Sequence, residues 1–178
     1  MRILVSITGA SGIIYGRKMI EILRKSKEDV KLVVSNCGKE VARYEKVVLP
    51  KADYGDDDLA APPASGTNGP DVMIVMPCSM KTLGKIANGI SDTLTTRAAE
   101  VALKERKRLI LVVRETPLSL IAIENMRRIT LAGGIILPAC PGFYHNPKKI
   151  EDLVDFIIAK TLNVAGIEHR LVIRWKGE

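Results

Sequence analysis

The sequence predicts a doubly wound α/β domain, Rossmann-like or flavodoxin-like: one parallel sheet with helices on both faces. Three observations carry this expectation. Apolar, β-branched runs such as VMIVM at 72–76 and LILVV at 109–113 have no polar interruption, as strands covered on both faces require. Stretches with apolar residues at helical spacing separate them. The alternation persists along the chain, which favours right-handed βαβ units over segregated helices and strands.

The elements follow in order. Residues 2–7 read as the first buried strand, and Gly9-Ala10-Ser11-Gly12 as a turn. Residues 15–25 carry Met19, Ile22 and Leu23 on one helical face. Residues 30–35 form the second strand, and Glu45 falls in the helical segment after it. Residues 53–70 are polar, acidic and rich in Pro and Gly, so a long loop is expected there. The third strand covers 72–76, with helical patterns at 82–86 and 92–105. The fourth covers 109–113, a helix fits 119–132, and 134–137 open the fifth strand. A last helix fits 148–163. No internal repeat occurs, and the alternation resumes after the loop, so residues 1–178 are expected to form a single domain. A short tail at 171–178 holds the sole tryptophan, Trp175.

Composition narrows the function. With 47% hydrophobic and 26% charged residues, the chain is that of a globular domain rather than a disordered one. No apolar run approaches the roughly 20 residues of a membrane span. The short apolar start reads as a strand, not a signal peptide, and a cytoplasmic protein is expected. Three widely spaced cysteines without CxxC argue against a disulfide framework or zinc knuckle, and two histidines are too few for most metal sites. His145 and His169 are expected at the surface. The net charge of +7 suits an anionic partner. Aromatic residues make up only 4% and none interleaves with a basic cluster, which disfavours a nucleic-acid platform.

Ligands of open α/β sheets sit beyond the carboxyl ends of the strands. After the first strand come Thr8 and the Gly9–Gly12 turn, where small residues permit close backbone approach and a helix start offers N–H groups to a phosphate. A tight turn with Ser11 as a helix cap is the structural alternative. Ser35-Asn36 follow the second strand. Glu45 taken alone reads as a solvent-facing carboxylate. Pro77-Cys78-Ser79-Met80-Lys81-Thr82 follow the third strand and put two hydroxyls and an ammonium at a helix start, a second anion cradle. Arg114-Glu115-Thr116-Pro117 follow the fourth: Arg can fork onto phosphate, and Glu can move a proton. Pro138 to Tyr144 follow the fifth as a stiff loop with an aromatic wall. The convergence of these junctions on one sheet edge argues for a ligand site.

The blocks GASG at 9–12, PCSMKT at 77–82, RAAEVALKER at 97–106, RETPL at 114–118, ENM at 124–126 and PACPGFY at 138–144, with Arg174-Trp175 near the end, resemble the flavin prenyltransferase (UbiX-type) family, in family order and over nearly the whole chain. The resemblance implies a metal-independent enzyme that binds reduced FMN and dimethylallyl monophosphate. It would join the prenyl group to flavin N5 and C6. The prenylated FMN then serves a UbiD-type decarboxylase, and the enzyme itself would be a homododecamer with sites at subunit interfaces. By position, the resemblance assigns Gly9, Ala10, Ser11, Ser35, Ser79, Met80, Lys81, Thr82 and Arg114 to FMN. It assigns Tyr144, Lys160, Arg97 and Trp175 to the prenyl phosphate, and Glu115, Glu45, Lys104 and Ser11 to catalysis. No metal ligand is implied. Lys160 stands where many relatives have Arg, which keeps the charge but loses the bidentate fork.

Under that reading Arg97, Lys104, Lys160 and the Tyr144 hydroxyl stabilise the departing phosphate without a metal. Glu115 is the principal acid–base group, Glu45 shares its work, and Trp175 offers a π face to allylic positive charge. Two alternatives use the same cradles: a flavoprotein of the cysteine-decarboxylase type, disfavoured because its histidine base lies early in the chain whereas both histidines here lie late, and a non-catalytic FMN-binding module, which needs neither Glu115, Lys104 nor Lys160. A nucleic-acid binder, the last alternative, would show steep salt dependence.

Overall fold

The computed structural model describes residues 1–171. In chain order the elements are β1 (Arg2–Ile7), α1 (Ile13–Leu23), β2 (Asp29–Val34), α2 (Asn36–Tyr44), β3 (Tyr54–Gly55), β4 (Val72–Cys78), α3 (Met80–Ala87), α4 (Leu94–Lys104), β5 (Arg108–Val113), α5 (Leu120–Leu131), β6 (Ile135–Ile136) and α6 (Ile150–Ala165). All neighbouring strands pair parallel, in the order β3-β2-β1-β4-β5-β6.

The two-residue period of each strand deals its apolar residues to two cores. Ile3, Val5 and Ile7 of β1, Val72, Ile74 and Met76 of β4, and Ile110 and Val112 of β5 face α1 and α6. Leu4, Met73, Val75, Leu109, Leu111 and Val113 face α3 and α4, with Ile129 of α5. This double coverage explains why the strands read as unbroken apolar runs. Ile74 is fully buried, so cutting it back to alanine would cost about 2–5 kcal/mol.

Helix starts follow from capping hydroxyls. Ser35, Ser79, Thr93 and Ser119 each accept a backbone N–H from the first turn of the helix they open. The start of α1 is different. Its cap is Gly12 at φ +97°, without a side-chain bond, and Ser11 is exposed. The cap reading of Ser11 is therefore corrected: glycine tolerates the left-handed backbone that this tight turn needs.

The segment 53–70 is also not all loop. Tyr54 and Gly55 form β3 beside Val33 and Val34, and Pro62–Ala64 make a 3-10 turn. Asp56 pins the segment to α4, its backbone oxygen accepting from Leu94 N (2.7 Å) and its carboxylate from Thr95 Oγ1 (2.6 Å). A two-residue edge strand is too short to show any periodicity in sequence.

The winding reverses at β1, which has β2 on one side and β4 on the other. A crevice at this switch point, beyond the carboxyl ends of β1 and β4, is where such sheets bind ligands.

Candidate functional site

The ends of β1 and β4 are tied together at the crevice. Thr8 Oγ1 donates to Pro77 O (2.8 Å) and accepts from Ser79 N (2.9 Å). Both groups are buried, so the bonds are needed to satisfy the backbone. On the other side of β1, Ser35 N donates to Ile7 O (3.0 Å), and the Ser35 hydroxyl accepts from Gly38 N (3.0 Å). Gly9 lies between: a Cβ there would stand 2.5 Å from the Cβ of Cys37, so only glycine lets the β1–α1 turn press against the start of α2. Ala10 is buried and donates its N–H to Thr8 O (2.9 Å). The starts of α1, α2 and α3 thus meet at one edge.

Ser79 Oγ accepts from Thr82 N (3.3 Å) and lies 3.1 Å from Thr82 Oγ1. Half-buried Met80 follows it. Lys81 reaches toward the start of α2, its Nζ 3.5 Å from Cys37 Sγ. Hydroxyls, helix-start amides and an ammonium therefore cluster as an anion cradle.

The first donors of α1 are already occupied. Glu45 Oε1 accepts from Gly12 N (2.7 Å) and Oε2 from Ile13 N (2.8 Å). Two expectations change. Glu45 is not a solvent-facing carboxylate, and those two amides are not open to a phosphate.

Arg114 follows β5 and donates its backbone N–H to Cys78 O (3.4 Å). Its guanidinium Nε is buried without a hydrogen-bond partner among the described residues. An unpaired buried donor costs about 1–3 kcal/mol, and more when charged, so this group fits an anionic ligand that would pair it. Arg114 and Glu115 line a cavity of about 110 Å³ with Val113, Thr116, Leu118, Met126, Pro138, Ala139 and Cys140. Ala139 N donates to Val113 O (2.9 Å), which keeps the post-β6 loop beside β5. The Glu115 carboxylate is exposed and accepts from Thr116 N (3.0 Å). The unpaired Arg114 Nε, the Ser79–Thr82 cradle and the tight Gly9 turn together fit the phosphate and polar edge of a mononucleotide such as FMN.

The three thiols differ. Cys37 and Cys140 are exposed, while burial pushes the Cys78 thiol up to about 12, which leaves it an inert core group. Burial also raises the Tyr15 hydroxyl, with a smaller contribution from Cys140.

The remaining residues are not brought to the crevice within one chain. Arg97 faces the 3-10 turn, Nε donating to Ala64 O (3.2 Å) and Nη1 to Glu100 Oε2 (2.9 Å). Ser91 Oγ donates to the same Glu100 oxygen, and that bond, ahead of Arg97, holds the Glu100 carboxyl below its ordinary value. Lys104 ends α4, four residues before β5 begins, and pairs with Glu105. It therefore stands at the amino edge of the sheet, roughly 20 Å along β5 from Arg114. Lys160 is exposed on α6, which covers the opposite face of the sheet from α4. Tyr144 is exposed in the loop after β6, its ring edge-on to His145 and Phe156. Trp175 lies outside the described residues.

The sequence places Thr8 at the first junction but gives it no role; its signal was a polar residue just beyond an apolar strand. It also placed His145 at the surface, whereas the ring is half-buried with both nitrogens shielded from water. Among the described residues no three His, Cys, Asp or Glu side chains gather as a metal site, and no helix is long and apolar enough to cross a membrane.

Comparison with known proteins converges on one group. The flavoprotein family matches residues 1–162. A flavin prenyltransferase UbiX of Methanothermobacter thermautotrophicus is 45% identical, with 99% of this chain and 96% of that protein covered. A crystal structure of AnUbiX in complex with FMN and dimethylallyl pyrophosphate superposes with a TM-score of 0.95 at 42% identity, covering 99% of this chain and 98% of that one. A dodecameric FMN-dependent UbiX-like decarboxylase from Escherichia coli O157:H7 gives a TM-score of 0.93 at 37% identity, covering 99% and 100%.

Proposed function

The chain belongs to the flavoprotein family and, within it, to the UbiX flavin prenyltransferases; from that premise we propose that it transfers a dimethylallyl group from dimethylallyl monophosphate to N5 and then C6 of reduced FMN, without a metal. The observation that supports this reading is Arg114, whose Nε is buried and unpaired among the described residues, which lines one cavity with Glu115, and whose backbone N–H bonds Cys78 O, one residue before Ser79. When bound, reduced FMN supplies the electron-rich N5 and C6 that attack the allyl group.

The chain's own residues divide the remaining work. Gly9, Ala10, Ser35, Ser79, Met80, Lys81, Thr82 and Arg114 hold the flavin nucleotide, and Ser11 stands exposed at the turn beside them. Glu115 lies next to Arg114 at the tip of β5. It moves the proton that must leave C6 on ring closure or arrive on the departing phosphate. Glu45 contributes first as the clamp on the Gly9–Gly12 turn. Arg97, Lys104, Lys160 and Tyr144 meet the phosphate as the allylic C–O bond breaks, with donors preorganised away from bulk water. Trp175 is assigned to the prenyl group by the family resemblance alone.

These cations cannot converge in one copy, since α4 and α6 cover opposite faces of the sheet and Lys104 sits at the far edge. A site shared between copies of the chain resolves this, and an oligomer as large as the dodecamer of the Escherichia coli relative supports it. Prenylated FMN would pass to a UbiD-type decarboxylase, and a cytoplasmic setting suits that transfer.

The test is an anaerobic assay of phosphate release with reduced FMN in excess EDTA, run with dimethylallyl monophosphate and with the pyrophosphate. Turnover of the monophosphate, unaffected by the chelator, is expected. Dependence on added Mg²⁺, or preference for the pyrophosphate, contradicts the donor and metal parts of the reading. If FMN is bound but neither donor is consumed, the non-catalytic flavin module is the better account.

A further inference from the structure

The imidazole of His145 is stacked on Phe156, centroids 5.4 Å apart and planes 12° from parallel. Its Nδ1 and Nε2 are both buried, and neither has a hydrogen-bond partner among the described residues. Buried polar nitrogens are normally paired, and the contacts His145 makes among the described residues are those of its ring. What it uses is its flat face and its edge.

The face lies on Phe156, and the ring meets Tyr144 edge-to-face. The tyrosine ring stands edge-on to His145 (6.3 Å, 78°) and to Phe156 (5.8 Å, 76°). Edge-to-face contacts at these separations are favourable and fix ring orientation. The support beneath is rigid. Phe156 belongs to α6 and packs against the core that α6 shares with α1. The loop is pinned at Lys148 and Lys149, whose backbone N–H groups donate to Asp152 Oδ2 at 2.8 and 3.2 Å. A Cβ at Gly142 would come within 2.8 Å of the Tyr144 ring and 3.2 Å of Phe156, so the preceding turn closes over the same rings.

We propose that His145 and Phe156 are positioning residues that hold the Tyr144 hydroxyl in place for the prenyl phosphate, with His145 acting as an aromatic slab rather than through its nitrogens. The inference rests on the reading of Tyr144 as a phosphate contact. It deepens that reading by naming what orients a residue carried on an exposed loop.

The experiment compares His145→Ala, His145→Phe, Phe156→Leu and Tyr144→Phe. Its readouts are calorimetric binding of dimethylallyl monophosphate to the FMN-loaded protein, FMN affinity, kcat and KM, and the thermal midpoint. His145→Ala and Phe156→Leu are expected to weaken monophosphate binding and raise KM on the order of tenfold, with FMN affinity unchanged and kcat less affected. His145→Phe keeps the slab and removes two unpaired nitrogens. It should bind the monophosphate like the wild type and unfold at the same temperature or higher. If His145→Phe is as impaired as His145→Ala while Tyr144→Phe also loses affinity, the nitrogens matter and the slab role is overturned, with the Tyr144 reading intact. If Tyr144→Phe binds the monophosphate like the wild type, the premise itself fails and the proposal falls with it.

Discussion

Glu45, at the end of α2, accepts the backbone N–H of Gly12, at the start of α1, at 2.7 Å, and its second oxygen takes the N–H of Ile13. A side chain thus fills the place that an anion takes at many helix starts, and it fixes the turn that the proposed function assigns to the flavin. Glu45→Gln can satisfy one of these donors and turns an NH₂ toward the other. A loss of about 1–2 kcal/mol in stability is expected, with Glu45→Ala losing at least as much. FMN affinity should fall in both, because the Gly9–Gly12 turn loosens. Denaturant unfolding and flavin titration check this, and unchanged stability in Glu45→Ala would contradict the clamp.

The unpaired Nε of Arg114 makes a sharper expectation for ligand affinity. Arg114→Ala should weaken FMN binding on the order of 100-fold, because a charge-assisted bond is lost from a shielded site. Arg114→Lys should recover only part of it, since a single ammonium cannot reproduce the fork. In the absence of flavin, Arg114→Ala should be no less stable than the wild type, as the buried donor it removes has no partner there. Fluorescence titration and thermal melts of the apoprotein read both quantities.

Lys104 tests whether sites are shared. It stands at the amino edge of the sheet and Glu115 at the carboxyl edge, so each shared site would take them from different copies. Lys104→Ala and Glu115→Gln should each be inactive as pure proteins. After dissociation and mixing in equal amounts, about a quarter of the sites should hold both native residues if copies assort at random. Activity returning toward that fraction supports the shared site, and none returning after verified exchange argues against it.

At the same amino edge, Asp71 joins the starts of three strands. It accepts from Arg2 N (2.9 Å) and pairs with Lys107 (2.9 Å), and these contacts, the Arg2 N–H first, hold its carboxyl below its ordinary value. A carboxylate whose folded value is depressed adds stability above its unfolded value, and the gain is lost as pH falls through the folded value. Asp71→Asn should therefore be less stable than the wild type at pH 7 by no more than ~1 kcal/mol, given the exposure of the pair. The difference should close below about pH 4. A gap that persists unchanged at pH 2.5 would rule out the charge as its source.

Much of the fold was legible because β1, β4 and β5 are buried on both faces, so their sequences are apolar without alternation. β3 was not, since two residues at a sheet edge leave no pattern. The junctions of the candidate cradle were readable from hydroxyls and small residues directly after strands. Glu45 was misread because its partners are backbone amides 32 and 33 residues away, which no side-chain pattern announces. The position of Lys104 was open to inference: a helix that ends four residues before a parallel strand must end at that strand's amino edge. His145 offered no such signal, because its partners are ring faces.

The most direct test of the account is the mass of the flavin after anaerobic incubation of the purified protein with reduced FMN and dimethylallyl monophosphate. A flavin about 68 Da heavier than FMN, formed only with both substrates and the enzyme, is predicted from the addition of C5H8. Recovery of unmodified FMN from protein shown to bind both molecules would contradict it.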